Sequence, residues 1–140
     1  MKTRVVLLMA VVAAAVFSGC CKVYCEENAE LNVLFGNFRV ADADTVYIIR
    51  YNKATQQISD STAIINIVSP ADTVNHSSLY RALSPTYDWK IVLPSVNKQY
   101  LFTQIETESG KCPCGGGHYT RISNYHLNNQ TQTGGSINLP

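Results

Sequence analysis

At 140 residues the chain has room for one domain of ordinary size. Eleven basic side chains stand against ten acidic ones, a net charge of +1, and no basic stripe runs along the chain, so nucleic acid is excluded as a partner. A chain of this size can bury one adequate core but not a generous one.

The chain begins with Lys2 and Arg4, continues through an unbroken apolar run from Val5 to Phe17, and reaches Cys20 through Ser18 and Gly19. A basic start, an apolar core and a small-residue site read as a secretory signal. The run is too short for a membrane span, which needs about 20 residues. Phe17-Ser18-Gly19-Cys20 resembles the lipobox of bacterial lipoproteins, in which an apolar residue and two small ones precede an invariant cysteine. The resemblance implies that Cys20 carries the lipid, that residues 1–19 are a cleaved signal peptide, and that the new amino terminus is acylated. It places the protein in the bacterial cell envelope, anchored through the lipid on Cys20. Cys21 stands where some lipoproteins carry an inner-membrane aspartate, so the outer membrane is the expected address. One acyl chain anchors marginally; a second makes attachment stable.

Cleavage leaves residues 20–140 with a charge of −1, because Lys2 and Arg4 depart with the signal. Both methionines depart too, which removes thioether ligands for copper. Residues 20–30 read as a short lipidated tether and 31–140 as a single domain.

Five cysteines are present: Cys20, Cys21, Cys25, Cys112 and Cys114. With Cys20 lipidated, four remain in an oxidising compartment, and four allow three pairings. Pairing Cys112 with Cys114 closes a strained ring across Pro113, of the kind used in redox chemistry. The other two pairings tie Cys21 and Cys25 to the KCPCGGGHYTR loop, and these are the expected ones. A Cys25–Cys112 bridge would contribute about 4–5 kcal/mol on the chain-entropy model. The competing reading is a zinc or copper site formed by Cys112, Cys114 and His118, with His126 or Cys25 as the fourth ligand. Gly115 to Gly117 need no ligand to explain them, since a glycine run supplies the positive φ angles of a loop. No other cofactor is expected.

Beyond Cys25 short strands are predicted between turn residues. Leu31, Val33 and Phe35 alternate before Gly36-Asn37. Thr45–Tyr51 and Thr62–Val68 are rich in β-branched residues. Tyr87–Leu93 sets Tyr87, Trp89, Ile91 and Leu93 on one face and Asp88 and Lys90 on the other. Tyr100–Thr107, Arg121–Leu127 and a last piece at Ser136–Leu139 follow. Leu79–Leu83 offers one helical turn at most, and the end from Asn128 onward reads as loose apart from that last strand. About seven short strands at this spacing predict an all-β, single β-sandwich, immunoglobulin-like or related. The pattern resembles small immunoglobulin-like domains of bacterial surface lipoproteins.

No nucleophile or metalloprotease motif surrounds His76, His118 or His126. Asp42 and Asp44 are loop aspartates with a weaker reading as calcium ligands, and Glu106 and Glu108 read as a solvated strand face. Asp44-Thr45-Val46, Asp60-Ser61-Thr62 and Asp72-Thr73-Val74 resemble an O-glycosylation sequon of exported bacterial proteins, and are also ordinary turn-to-strand sequence. The expected function is therefore non-enzymatic: binding or assembly beside an envelope protein partner. Metal handling is one alternative. A glycan-binding surface built on exposed aromatics is another, and a core position for Trp89 weakens it.

Overall fold

Tyr87–Leu93 shows how the strands arise. Its alternation puts Ile91 and Leu93 fully in the core with Trp89 packed against them, and a period of two with β-branched residues fits a pleated surface and not a helix. The structure is a computed structural model that describes residues 29–66, 75–112 and 117–140. The signal region, Cys20, Cys21, Cys25, Cys114, Gly115, Gly116 and the Asp72 sequon lie outside the described residues.

Nine strands are present among the described residues: β1 (Leu31–Leu34), β2 (Thr45–Asn52), β3 (Ile58–Ile65), β4 (Tyr80–Leu83), β5 (Tyr87–Leu93), β6 (Lys98–Lys111), β7 (His118–Leu127), β8 (Gln130–Thr133) and β9 (Ser136–Asn138). They form two sheets, a three-stranded one in the order β4-β1-β9 and a six-stranded one in the order β3-β2-β5-β6-β7-β8. This is the expected all-β sandwich, with more strands than the seven predicted. Leu31, Val33 and Leu83 from the small sheet join Val46, Ile48, Ile91, Phe102 and Tyr125 from the large one in a single core. Ala29 already belongs to that core. Residue contacts set apart a second unit, whose described part is the tip of the β6–β7 hairpin, 109–112 and 117–120.

Three departures from the predicted elements have physical causes. Leu79–Leu83 is no helical turn: Tyr80–Leu83 is strand β4, paired antiparallel with β1 so that Leu31 faces Leu83 and Leu34 faces Tyr80. Tertiary pairing overrides the weak helical spacing of Leu79 and Leu83. The stretch between Leu127 and the expected last strand is also not loose. Asn128 and Asn129 take φ +49° and +68°, the left-handed pair that a two-residue hairpin demands, and turn β7 into β8. β9 then runs parallel to β1, and Leu139 beyond it is fully buried. Its N–H donates to the Leu34 carbonyl at 2.9 Å, and the Asn37 side chain donates to its carbonyl at 2.7 Å.

The third departure lies within β6. Tyr100 and Phe102 point inward as period two requires, but so does Ile105, three residues on. The odd residue is absorbed at Gln104, whose φ is +51°. That is a β-bulge, and it reverses which face the rest of the strand buries. The Lys53 ammonium, from the β2–β3 turn, donates to the Ile105 carbonyl beside the bulge at 2.9 Å.

Candidate functional site

The hairpin tip holds the sequence's most conspicuous residues. Ser109 and Thr120 face each other with hydroxyls 3.1 Å apart. Gly110 lies against the Tyr119 ring so closely that a Cβ there would come within 2.6 Å of it. The Cys112 N–H donates to the Gly117 carbonyl at 2.9 Å, with Gly117 at φ +97°, the backbone freedom expected of that glycine run. Cys112 is buried, 6% exposed, and its sulfur is held in a disulfide. The other cysteines lie outside the described residues, so the pairing does too. A sulfur in a disulfide offers no thiolate to a metal.

His118 and His126 do not converge. Both sit on β7, eight residues apart, which is about 26 Å of strand at roughly 3.3 Å per residue. His126 cannot complete a metal site at Cys112 and His118. Its Nε2 stands 3.3 Å from the Thr131 hydroxyl across the β7–β8 pair. His76 packs its Nδ1 2.9 Å from the Gly36 carbonyl. Among the described residues no group of three His, Cys, Asp or Glu side chains is arranged to hold a metal ion.

The carboxylates are likewise occupied in ways that build structure. Asp42 is paired with Arg39 at 3.0 Å. That guanidinium's hydrogen bonds hold the Asp42 carboxyl below the usual carboxylate range. Asp44 accepts from the Ser95 hydroxyl. Glu106 accepts from the Asn124 amide at 3.0 Å and Glu108 from Arg121, so each is tied to β7 separately. Asp88 is less expected. On the face the alternation left polar, it is only 6% exposed; Oδ2 accepts from Gln56 at 2.9 Å, and the buried Oδ1 accepts from none of the described residues. Trp89 is half-buried, with its indole N–H donating to the Ser84 carbonyl at 2.9 Å. Tyr47 and Tyr80 are exposed but lie on different sheets, so the two do not form an aromatic row.

The site that sequence reasoning missed is a cleft of about 430 Å³, a size typical of small-ligand sites, about 300–1,000 Å³. Among the described residues it is lined by three separated segments. Val40 opens a 3₁₀ turn at Val40–Ala43, capped by Arg39 and Asp42. The Val40 N–H donates to the Asn75 carbonyl at 2.9 Å, and the Ser77 N–H donates to Phe38 at 2.7 Å. These bonds zip the lead-in to β4 onto the turn. Asn66, at the end of β3, is pinned by its backbone N–H to Asp44 and by its side-chain amide to Ala43, both at 2.6 Å. Ser77 accepts the Leu79 N–H at 3.1 Å and turns the chain into Tyr80 and Arg81. No periodicity or motif marks this combination.

No protein-family model, curated protein or solved structure matches the chain.

Proposed function

We propose that this chain is a lipid-anchored protein of a bacterial cell envelope, attached through Cys20, that binds a partner or ligand without catalysing a reaction. The observation that carries the reading is the sequence Phe17-Ser18-Gly19-Cys20 behind its apolar run, taken with the burial of Ala29 in the sandwich core. Nine residues from Cys20 to Ala29 reach at most about 30 Å. The domain is therefore held within that distance of the lipid, where envelope partners are met first. A cross-link from Cys112 to Cys21 or Cys25 would shorten the reach further. Outer-membrane placement rests on Cys21 standing where an aspartate would direct retention.

Expression of the full chain in a bacterial host, with an alkyne-tagged palmitate in the medium, tests the reading. Label on the wild type, lost in Cys20→Ser and kept in Cys21→Ser, supports it. An unlabelled chain in the soluble fraction sinks it.

A further inference from the structure

We propose that the outward face of the large sheet lies on the surface of the bilayer that holds the lipid anchor; the inference deepens the lipid-anchored reading above and rests on it. Val46, Ile48, Ile91, Tyr100 and Phe102 face the core, so the alternate residues of the same strands face outward. The register lines these up across β3, β2, β5 and β6: Tyr47 pairs with Val92, Ile49 with Lys90, Lys90 with Leu101, and Tyr51 with Ile58. Ile58 reaches this face because the register shifts between Arg50 and Tyr51. Tyr47 is 44% exposed and Ile58 63%, Leu101 is exposed too, and Ile49, Tyr51 and Val92 are half-buried. A contiguous apolar face of this kind marks a surface that meets a partner or a membrane. The small sheet's outward side is no rival, because around Leu34 and Tyr80 the register sets Asn32, Ser136 and Asn138.

Charge decides what covers it. Lys90 sits between Ile49 and Leu101 in the middle of the face, and among the described residues it forms no ion pair. Asp88 is the acidic outward residue of β2 and β5, and it is buried with the Gln56 amide donating to it. A second copy packed face to face would set Lys90 against an apolar surface or against the partner's Lys90, with no exposed carboxylate of β2 or β5 to pair it. An anionic headgroup layer accepts the whole face. Its phosphates receive the ammonium while the lysine stem lies along the apolar residues, and the tyrosines set their rings at the acyl boundary with their hydroxyls among the headgroups. The tether brings the two together. Sheets of a sandwich lie about 10 Å apart, so a reach of about 30 Å from Ala29 spans the depth of the large sheet with length to spare. On so short a linker the face meets the bilayer as an intramolecular partner.

The test uses the full chain, matured and palmitate-labelled in a bacterial host, in vesicles of phosphatidylglycerol and phosphatidylcholine whose brominated acyl chains quench tryptophan. The one native tryptophan, Trp89, packs against the core and sets the baseline. Tyr47→Trp and Leu101→Trp are expected to be quenched beyond that baseline, while Ala82→Trp, at an exposed position of the small sheet, is expected to stay at it. Adding Lys90→Gln to either should lower the docked-to-undocked ratio about fivefold, the worth of one lysine near an anionic surface, and phosphatidylcholine alone should produce the same loss. Equal quenching at all three positions means that the domain tumbles on its tether, and overturns the proposal. Shielding of Tyr47→Trp from aqueous acrylamide without quenching by lipid means that a protein covers the face, and overturns it as well. Unquenched Tyr47→Trp and Leu101→Trp in a labelled chain sink this inference and leave the anchor standing; an unlabelled chain sinks both.

Discussion

Replacing Leu139 with alanine tests whether the last residues belong to the cooperative fold. Leu139 is fully buried, and its backbone is fastened to Leu34 and Asn37. Beyond it, the Pro140 oxygen accepts from Lys98 at 2.8 Å and from the Tyr100 hydroxyl. Truncating a fully buried leucine in a rigid site costs about 3–5 kcal/mol, the lost transfer energy plus the cavity. A second response competes: β9 peels from β1 and the cavity never forms. The cost is then capped at the free energy of undocking. That competition favours the lower half of the range, and the polar anchors, which oppose peeling, keep the cost from falling below it: about 3 kcal/mol, which lowers the melting temperature by roughly 10 °C for a domain of this size. Near-ultraviolet circular dichroism follows the melt. Leu101→Ala is the control: Leu101 is 37% exposed, and its truncation is expected to cost about 1 kcal/mol or less. If Leu139→Ala melts no lower than Leu101→Ala, the tail is not part of the cooperative unit and the reasoning is refuted.

Two further outcomes are expected. Gln104 at φ +51° bears the steric cost of a left-handed residue, about 1–2 kcal/mol, so Gln104→Gly should raise the urea midpoint and Gln104→Val should lower it; the opposite order would mean that the bulge lies elsewhere. Burial raises the pKa of Tyr100 and of Tyr125 above the ordinary 10.0. A group whose folded pKa is raised stabilises fully below the unfolded value and loses that contribution as pH rises through the folded one. Stability should therefore hold up to about pH 10 and fall above it, less steeply in Tyr125→Phe, with denaturant midpoints across alkaline pH as the measure.

What was legible in the sequence followed from burial on one face. Thr45–Tyr51 and Tyr87–Leu93 alternate because each lies between two neighbours in the large sheet with one face on the core, and pattern reading finds such strands. β3 was placed four residues too late because the stretch Ile58–Ala63 is exposed throughout. An edge strand with no buried face has no apolar period to read. β8, Gln-Thr-Gln-Thr, is made by its pairing with β7; only the Asn128-Asn129 dipeptide foretold it. The Gln104 bulge carries no glycine to announce it. The same contrast holds for the sites. Cys112 stood out by residue type, whereas the cleft draws Val40, Asn66 and Arg81 from three segments and exists only once β4 has docked.

The parallel pairing of β1 with β9 fixes when the fold can close. Asn37 and Leu139 are 102 residues apart in sequence and touch, so the small sheet's central strand stays open along one side until the last residues arrive. Contacts of such separation make folding slow. The small sheet is thus a latch that β9 shuts against β1.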